Sequence, residues 1–502
     1  MHVTSRLEQH ICATVLSTPA CALPVQSGIS TFFPSMFPVV APEFAFPPVR
    51  TGILGILNGG NAMAFVMERL ADFAGNMRAH QLTDEVIDKA QRAVLDTMAA
   101  LVAGVPTDNA RLSALAAKAC FGPGRAAVWF TDHKLHPLGA LFANCAAASS
   151  LDIDDGHCRA AGHPGAAIVP AALAEAARLG RDGRDLLAAI AIGYDVALRI
   201  ASARRFTDAM SFASGQWTGF GAAAAVGWLR HLPIPQLAHA MAIAGAEAPQ
   251  NLPQGDCQAS SVKGSSPWST VAAMFALDRA QYGMTGSIDM LDRDHAYDIA
   301  AIVAELGDRW LITETYLKPY AACRYTHPVI DAVLKLVADR SDDEPISRIQ
   351  IDIFPEARKL PNETAPKSLE GAQFSVPFAA ALAAVRGAEA FRPLRPESLA
   401  DETVIALAEK VELRYPTDLG GHFPNSTPAR VTMMLGQRQA MADVPRPLGD
   451  ANNPMDQSAI ETKFRDLAGD MLSPSECDSL IQAVTMLKQA KLSPLLKCLN
   501  AH

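Results

Sequence analysis

Apolar positions recur at helical spacing from Met67 onward, and MERLADFAGNMRAHQLTDEVIDKAQRAVLDTMAALVAG reads as two helices. The second opens at Thr83, with Asp84 and Glu85 in its first turn and Val86, Ala90, Ala93, Val94 and Met98 at helical spacing. Helix then dominates to about residue 310, with short glycine-bearing breaks and Ala-rich faces that let helices pack closely. Beyond Leu311 the pattern changes to alternation. ISRIQIDIF (346–354), VELRYP (411–416) and ARVTMML (429–435) read as strands, with helices over 373–387 and 396–410 between them. Pro445 to Pro454 is a linker rich in Pro, Gly and Asn, followed by the helical SAIETKFRDLAG and SECDSLIQAVTML. The fold class expected is therefore mainly α: a helical domain over 63–310, a smaller α+β domain over 311–444, and C-terminal helices over 445–502. Residues 1–62 carry no usable period and read as an irregular leader, either disordered or an over-long start before Met63 or Met67, with a targeting peptide as the weaker alternative.

Composition narrows the class. The 502 residues are 49% apolar and 19% charged, as expected of a soluble globular chain with a large core. A net charge of -9 argues against a nucleic-acid partner, and any anionic substrate must be drawn by a local basic pocket against the overall field. The 9 cysteines are scattered without C-x-x-C spacing, which points to no disulfide framework and to a reducing cytoplasm. No apolar run is long enough to span a bilayer, so a membrane partner is not expected.

One stretch stands out chemically. LDIDDGHCRAAGHPGAAIVP, residues 151–170, places Asp152, Asp154, Asp155, His157 and His163 between two Ala-rich segments. Burying a carboxylate there costs several kcal/mol unless it is paired, a cost usually met where chemistry needs it. A helical reading sets Asp152 and Asp155 on one face, and the Gly162-His163-Pro164-Gly165 turn holds His163 at the start of the next helix, suited to proton transfer. A solvated patch and a divalent-metal site are the competing readings. Metal ranks lower, because no second short-spaced His/Cys/Asp group accompanies it.

Two further blocks carry cations. Lys263, in QASSVKGSSPW, is alone among neutral residues, and by itself reads as a snorkelling surface lysine. Lys318, Arg324 and His327 lie within YLKPYAACRYTHP, where two cations and a helix-start histidine make a plausible carboxylate clamp or merely a basic loop. In SFASGQWTGFGAAAAVGW, Gly215, Gly219 and Gly221 do not match a phosphate-binding spacing, and close helix packing is expected instead.

DIDDGH followed by HPGAAIVPAALAEA resembles the signature of the MmgE/PrpD family, which includes 2-methylcitrate dehydratases, cis-aconitate decarboxylases and iminodisuccinate epimerases. The K-x-G block at Lys263, K-P-Y-x-x-C-R-Y-T-H at 318–327 and QFSVPF at 373–378 resemble further blocks of that family. The resemblance spans roughly 66–495. It implies a discontinuous all-helical domain capped by an α+β lid, usually a homodimer, working without cofactor or metal on small polycarboxylates. It also implies catalytic roles for Asp152, His163, Lys263 and His327, and substrate-binding roles for His157, Lys318, Arg324 and Ser375, with Cys323 a pocket neighbour. The expected activity is a lyase of the dehydratase type, abstracting a proton next to a carboxylate. An epimerase is the alternative, favoured by Ser211-Phe212-Ala213 where lyase members carry a histidine and by Phe378 where some carry tyrosine. A catalytically inactive binding protein is the third reading.

Overall fold

Helices α1 (Val66–Asn76) and α2 (Asp84–Gly104) open the described part of the chain, and Thr83 caps α2 by accepting from Val86 N at 3.4 Å. The computed structural model describes residues 64–205, 213–250, 262–338, 340–341 and 344–500. The leader expected over 1–62 and the Ser211-Phe212 departure lie outside the described residues. All described residues belong to one unit, Gly59–His502.

Helices α3 (Asp108–Phe121), α4 (Pro137–Ser149), α5 (Gly165–Leu179), α6 (Gly183–Ser202), α7 (Gly215–Leu229), α8 (Ile234–Ala246), α9 (Ser266–Gln281) and the short α10 (Ile299–Val303) follow. α7 is buried along its whole length except Gln216, and it packs against α5, α6, α8 and α9 at the centre of the core. The α6–α7 crossing depends on glycine: a Cβ on Gly193 would come within 2.7 Å of the Gly221 carbonyl. Close packing is thus the role of Gly221.

The stretch before residue 310 is not purely helical. Strands β1 (Pro123–Ala127) and β2 (Lys134–Leu135) pair antiparallel between α3 and α4. The β1 segment is PGRAA, short and without alternation, so no period announced it.

Downstream come α11 (His327–Ala338), β3 (Ile346–Ile353), α12 (Leu369–Gln373), α13 (Val376–Arg386), α14 (Glu402–Ala408), β4 (Val411–Arg414), β5 (Ala429–Leu435) and β6 (Arg438–Val444). The strands form one sheet in the order β4-β3-β5-β6, with β3 parallel to β4 and antiparallel to β5. β5 buries every second residue, and α11 packs against β5 and β6. β6 was not expected from the sequence because it is a largely polar edge strand with only Ala442 buried. Finally α15 (Gln457–Ala468), α16 (Pro474–Thr485) and α17 (Ser493–Leu499) close the chain, with α15 and α16 against α2. Among the described residues no helix is long and apolar enough to cross a membrane.

Candidate active site

The chain between α4 and α5 is a loop, not a helical turn. Asp152 takes a left-handed backbone with φ +53°, a conformation that Asp tolerates better than most residues, and this ends any shared helical face with Asp155. Successive carboxylates then point to different partners.

The loop is stitched to a distant segment. Gly156 N donates to Tyr316 O at 3.0 Å and Tyr316 N donates back to Gly156 O at 2.8 Å, while Leu317 N donates to Gly449 O at 3.0 Å. Gly156 is needed for this approach, since a Cβ there would lie 2.5 Å from Cζ and 2.8 Å from Cε2 of Tyr316. Gly156→Ala is expected to destabilise the fold by about 1–3 kcal/mol through overpacking, measured by urea unfolding.

Asp152 is the hub. Its Oδ2 accepts from Lys318 Nζ at 2.6 Å, and the same ammonium donates to the Asp152 carbonyl at 2.6 Å. Its Oδ1 faces His163 Nε2 at 3.8 Å and Lys263 Nζ at 3.9 Å. Burial alone would raise the Asp152 carboxyl, but Lys318, Lys263 and His163 together hold it well below the usual carboxylate range. Separations of 3.8–3.9 Å are too long for direct hydrogen bonds, so both groups face Oδ1 without bonding it. Side-chain exposure falls from 23% at His163 through 11% at Asp152 and 6% at Lys263 to 0% at Lys318, so His163 stands outermost and Lys318 deepest.

His163 is held from behind. Its backbone N donates to Ser214 Oγ at 2.9 Å, and its Nδ1 lies 2.8 Å from the Asp155 carbonyl, which can only accept. The proton of a neutral ring is therefore assigned to Nδ1, leaving the Nε2 lone pair toward Asp152. Asp154 Oδ2 lies 3.6 Å from the same Nδ1.

Beneath this loop is a buried polar layer. Asp155 Oδ1 accepts from Gly165 N at 2.9 Å at the start of α5, and Lys463 of α15 donates to Asp96 Oδ1 at 2.5 Å and to Ile153 O at 2.9 Å. Burial, then the charges of Asp96 and Asp154, push the Asp155 carboxyl well above its ordinary value; burial also raises Asp96 and Asp154. A carboxyl raised in this way contributes stability that is present below its unfolded value of about 3.9 and lost as pH rises through the folded value. Asp155→Asn, which stays neutral, is expected to raise the Tm relative to the unsubstituted chain more at about pH 8 than at about pH 5, as read by thermal unfolding.

The remaining expected site residues are distributed unevenly. Arg324 Nη2 donates to Asp450 Oδ2 at 2.6 Å and its guanidinium lies over the Tyr316 ring at 4.7 Å, so its charge is matched by a buried aspartate. His327 is fully buried with Nε2 3.1 Å from Ala322 O, and burial, then Arg324 and Lys318, drive its pKa well below the usual value, keeping it neutral. Burial first pushes the Cys323 thiol up to about 11, so it contributes an uncharged wall. His157 is not brought to the hub: its Nε2 lies 3.9 Å from Glu314 Oε2, and it lines a separate cavity of about 140 Å³ with Arg159, Arg309 and Glu314. Ser375 has its hydroxyl proton committed within its own segment. Its hydroxyl donates to Glu363 O at 2.5 Å and accepts from Phe378 N at 3.1 Å, which makes it the N-cap of α13.

Sequence reasoning passed over Gln373, Asp450 and Lys463. All three are buried polar residues; Gln373 and Lys463 stand in helices, where the polar–apolar mismatch was a signal, whereas Asp450 lies in the Pro- and Asn-rich linker and gave none.

Fold and site together define a helix-rich protein with a small mixed sheet and an Asp152 carboxylate surrounded by Lys318, Lys263 and His163. The MmgE/PrpD N-terminal domain model matches residues 68–302 and the MmgE/PrpD C-terminal domain model matches residues 320–489. The chain belongs to the MmgE/PrpD family. It is similar to cis-aconitate decarboxylase of Homo sapiens, 27% identical over 461 residues that cover 86% of this chain and 94% of the relative. It is also similar to cis-aconitate decarboxylase of Aspergillus terreus (strain NIH 2624 / FGSC A1156), 23% identical over 478 residues covering 88% and 97%, and of Mus musculus, 24% identical over 452 residues covering 84% and 91%.

Proposed function

We propose that this chain is a cofactor-independent lyase of small di- or tricarboxylates, working by proton transfer at the carbon next to a carboxylate. The observation that carries the reading is the convergence of His163 Nε2 and Lys263 Nζ on Asp152 Oδ1, while Asp152 Oδ2 is neutralised by Lys318. Reactions of this class place an electron pair on a carbon whose negative charge spreads into the neighbouring carboxylate, and fixed donors stabilise that charge. Lys263 is the cation that faces Asp152 Oδ1 without a direct bond to it, and His163 is the group able to take or return a proton at Nε2. Lys318 gives its ammonium to Asp152 and acts through that carboxylate, whereas Arg324 gives only Nη2 to Asp450 and keeps Nε and Nη1 without a hydrogen-bond partner among the described residues, available to a substrate carboxylate.

The leaving bond separates the outcomes. In the dehydratase form His163 removes a proton from carbon, the pair left on that carbon forms the double bond as the adjacent C–O bond breaks, and the departing hydroxide takes a proton from Lys263 to leave as water. In the decarboxylase form the carbon–carbon bond supplies the pair, CO₂ departs, and the carbon is protonated. The names of the relatives make cis-aconitate the first substrate to test, and their decarboxylation the first product to seek. The epimerase reading keeps both bonds and only returns the proton on the other face.

Incubation with cis-aconitate, 2-methylcitrate and other small polycarboxylates in deuterated water, followed by NMR, decides among them. Loss of CO₂ or of water supports the lyase, exchange alone supports the epimerase, and neither with any of the acids overturns the enzyme reading in favour of a binding protein. The proposal also treats 311–444 as a lid over the helical body, and a second copy of the chain as the cover for the apolar side of α9, where Trp268, Phe275 and Tyr282 are exposed.

A further inference from the structure

We propose that Gln373 is a positioning residue for Lys263, setting both the direction of its ammonium and its readiness to part with a proton. The inference rests on the acid–base reading of the Asp152 centre and adds to it a residue given no role there.

Gln373 ends α12 and is completely buried. Its Oε1 accepts from Lys263 Nζ, and its Nε2 lies 3.4 Å from Ser150 O. The amide can be oriented only one way: a carbonyl accepts and an ammonium donates, so the NH₂ faces Ser150 and the oxygen faces Lys263. The backbone of Gln373 is fixed as well, its carbonyl accepting from Cys323 N at 2.8 Å. One residue thus touches the α4 end that leads into the Asp152 loop, the segment bearing Lys318 and Arg324, and Lys263.

The chemistry favours a neutral acceptor at this point. Lys263 already faces Asp152 at 3.9 Å and the Phe374 ring at 4.7 Å, with Glu370, Asp154 and Lys318 as the other charged groups around it. An amide oxygen satisfies one ammonium proton and adds no net charge. A carboxylate in the same place would bind the ammonium more tightly and hold its proton, whereas an apolar side chain would leave a buried ammonium short of an acceptor. Burial, the leading influence on Lys263, already lowers its proton affinity, and Gln373 leaves that bias in place.

The test uses the full chain with ¹⁵N- and ¹³C-labelled lysine, the Lys263 signal being assigned by its loss in Lys263→Met. In substrate-free protein, Gln373→Glu is expected to raise the Lys263 titration midpoint by about 1–3 units and Gln373→Met to lower it. The alkaline limb of the turnover profile is expected to move in the same two directions. Opposite shifts support the proposal. Unchanged midpoints, or a shift of the same sign in both near-isosteric variants, overturn it. Because the titration needs no substrate, it stands apart from the lyase reading: opposite midpoint shifts in a chain that turns over no polycarboxylate would refute the reaction while leaving the Gln373–Lys263 coupling intact.

Discussion

His163→Asn is expected to lower turnover by roughly 10²–10⁴-fold, the usual worth of a placed acid–base group, while KM changes little. The ring is the outermost member of the centre, with Nδ1 held at the Asp155 carbonyl and Nε2 facing Asp152 without a direct bond. Asparagine keeps a polar side chain of similar reach but has no nitrogen that takes up a proton. Steady-state kinetics on the substrate found in deuterated water would measure the loss, with circular dichroism to show that the fold survives. A His163→Ala chain regaining part of its rate with added imidazole would tie the loss to proton transfer rather than to packing.

Lys318→Met is expected to cost about 3–5 kcal/mol of stability, because it strands a carboxylate that only an ion pair made tolerable. Lys318 is fully buried and gives its ammonium to two oxygens of Asp152. The pH dependence has a definite sign. Asp152, held below its ordinary range in the intact protein, contributes stability that is present above the unfolded value of about 3.9 and is lost as pH falls through its lowered folded value. In Lys318→Met the carboxyl is expected to protonate more readily, so the gap between the two proteins is largest near neutral pH and narrows in acid. Urea unfolding across that range measures it. Lys318→Met with Asp152→Asn should recover part of the loss, since the stranded charge is gone.

How much of this could be read from the chain depends on how local each signal is. The α-rich first part, the strands at 346–354 and 429–435 and the capped start of α2 follow from period and turn chemistry within a few residues. The centre was legible in kind, since Asp and His between alanines need partners, and Lys263 was legible only through family likeness. Its wiring was not: Lys318 and Asp152 are 166 positions apart, and Lys263 and Gln373 are 110 apart. No spacing rule reaches across such separations. Ser375 shows a local use that the motif did not announce: its hydroxyl accepts from Phe378 N as the cap of α13 and donates to the Glu363 carbonyl. His157, five residues from Asp152 in sequence, turns to Glu314 because the loop reverses at its bridge with Tyr316.

The claim on which the account depends is that Asp152, His163 and Lys263 surround one position for a substrate carboxylate. A crystal structure with tricarballylate, a saturated tricarboxylate that has no leaving group, tests it directly. The expected result is a carboxylate oxygen within hydrogen-bond distance of Lys263 Nζ, with the carbon next to that carboxylate facing His163 Nε2. A ligand lodged instead in the cavity lined by His157, Arg159 and Arg309, with the gap beside Asp152 left empty, would contradict it.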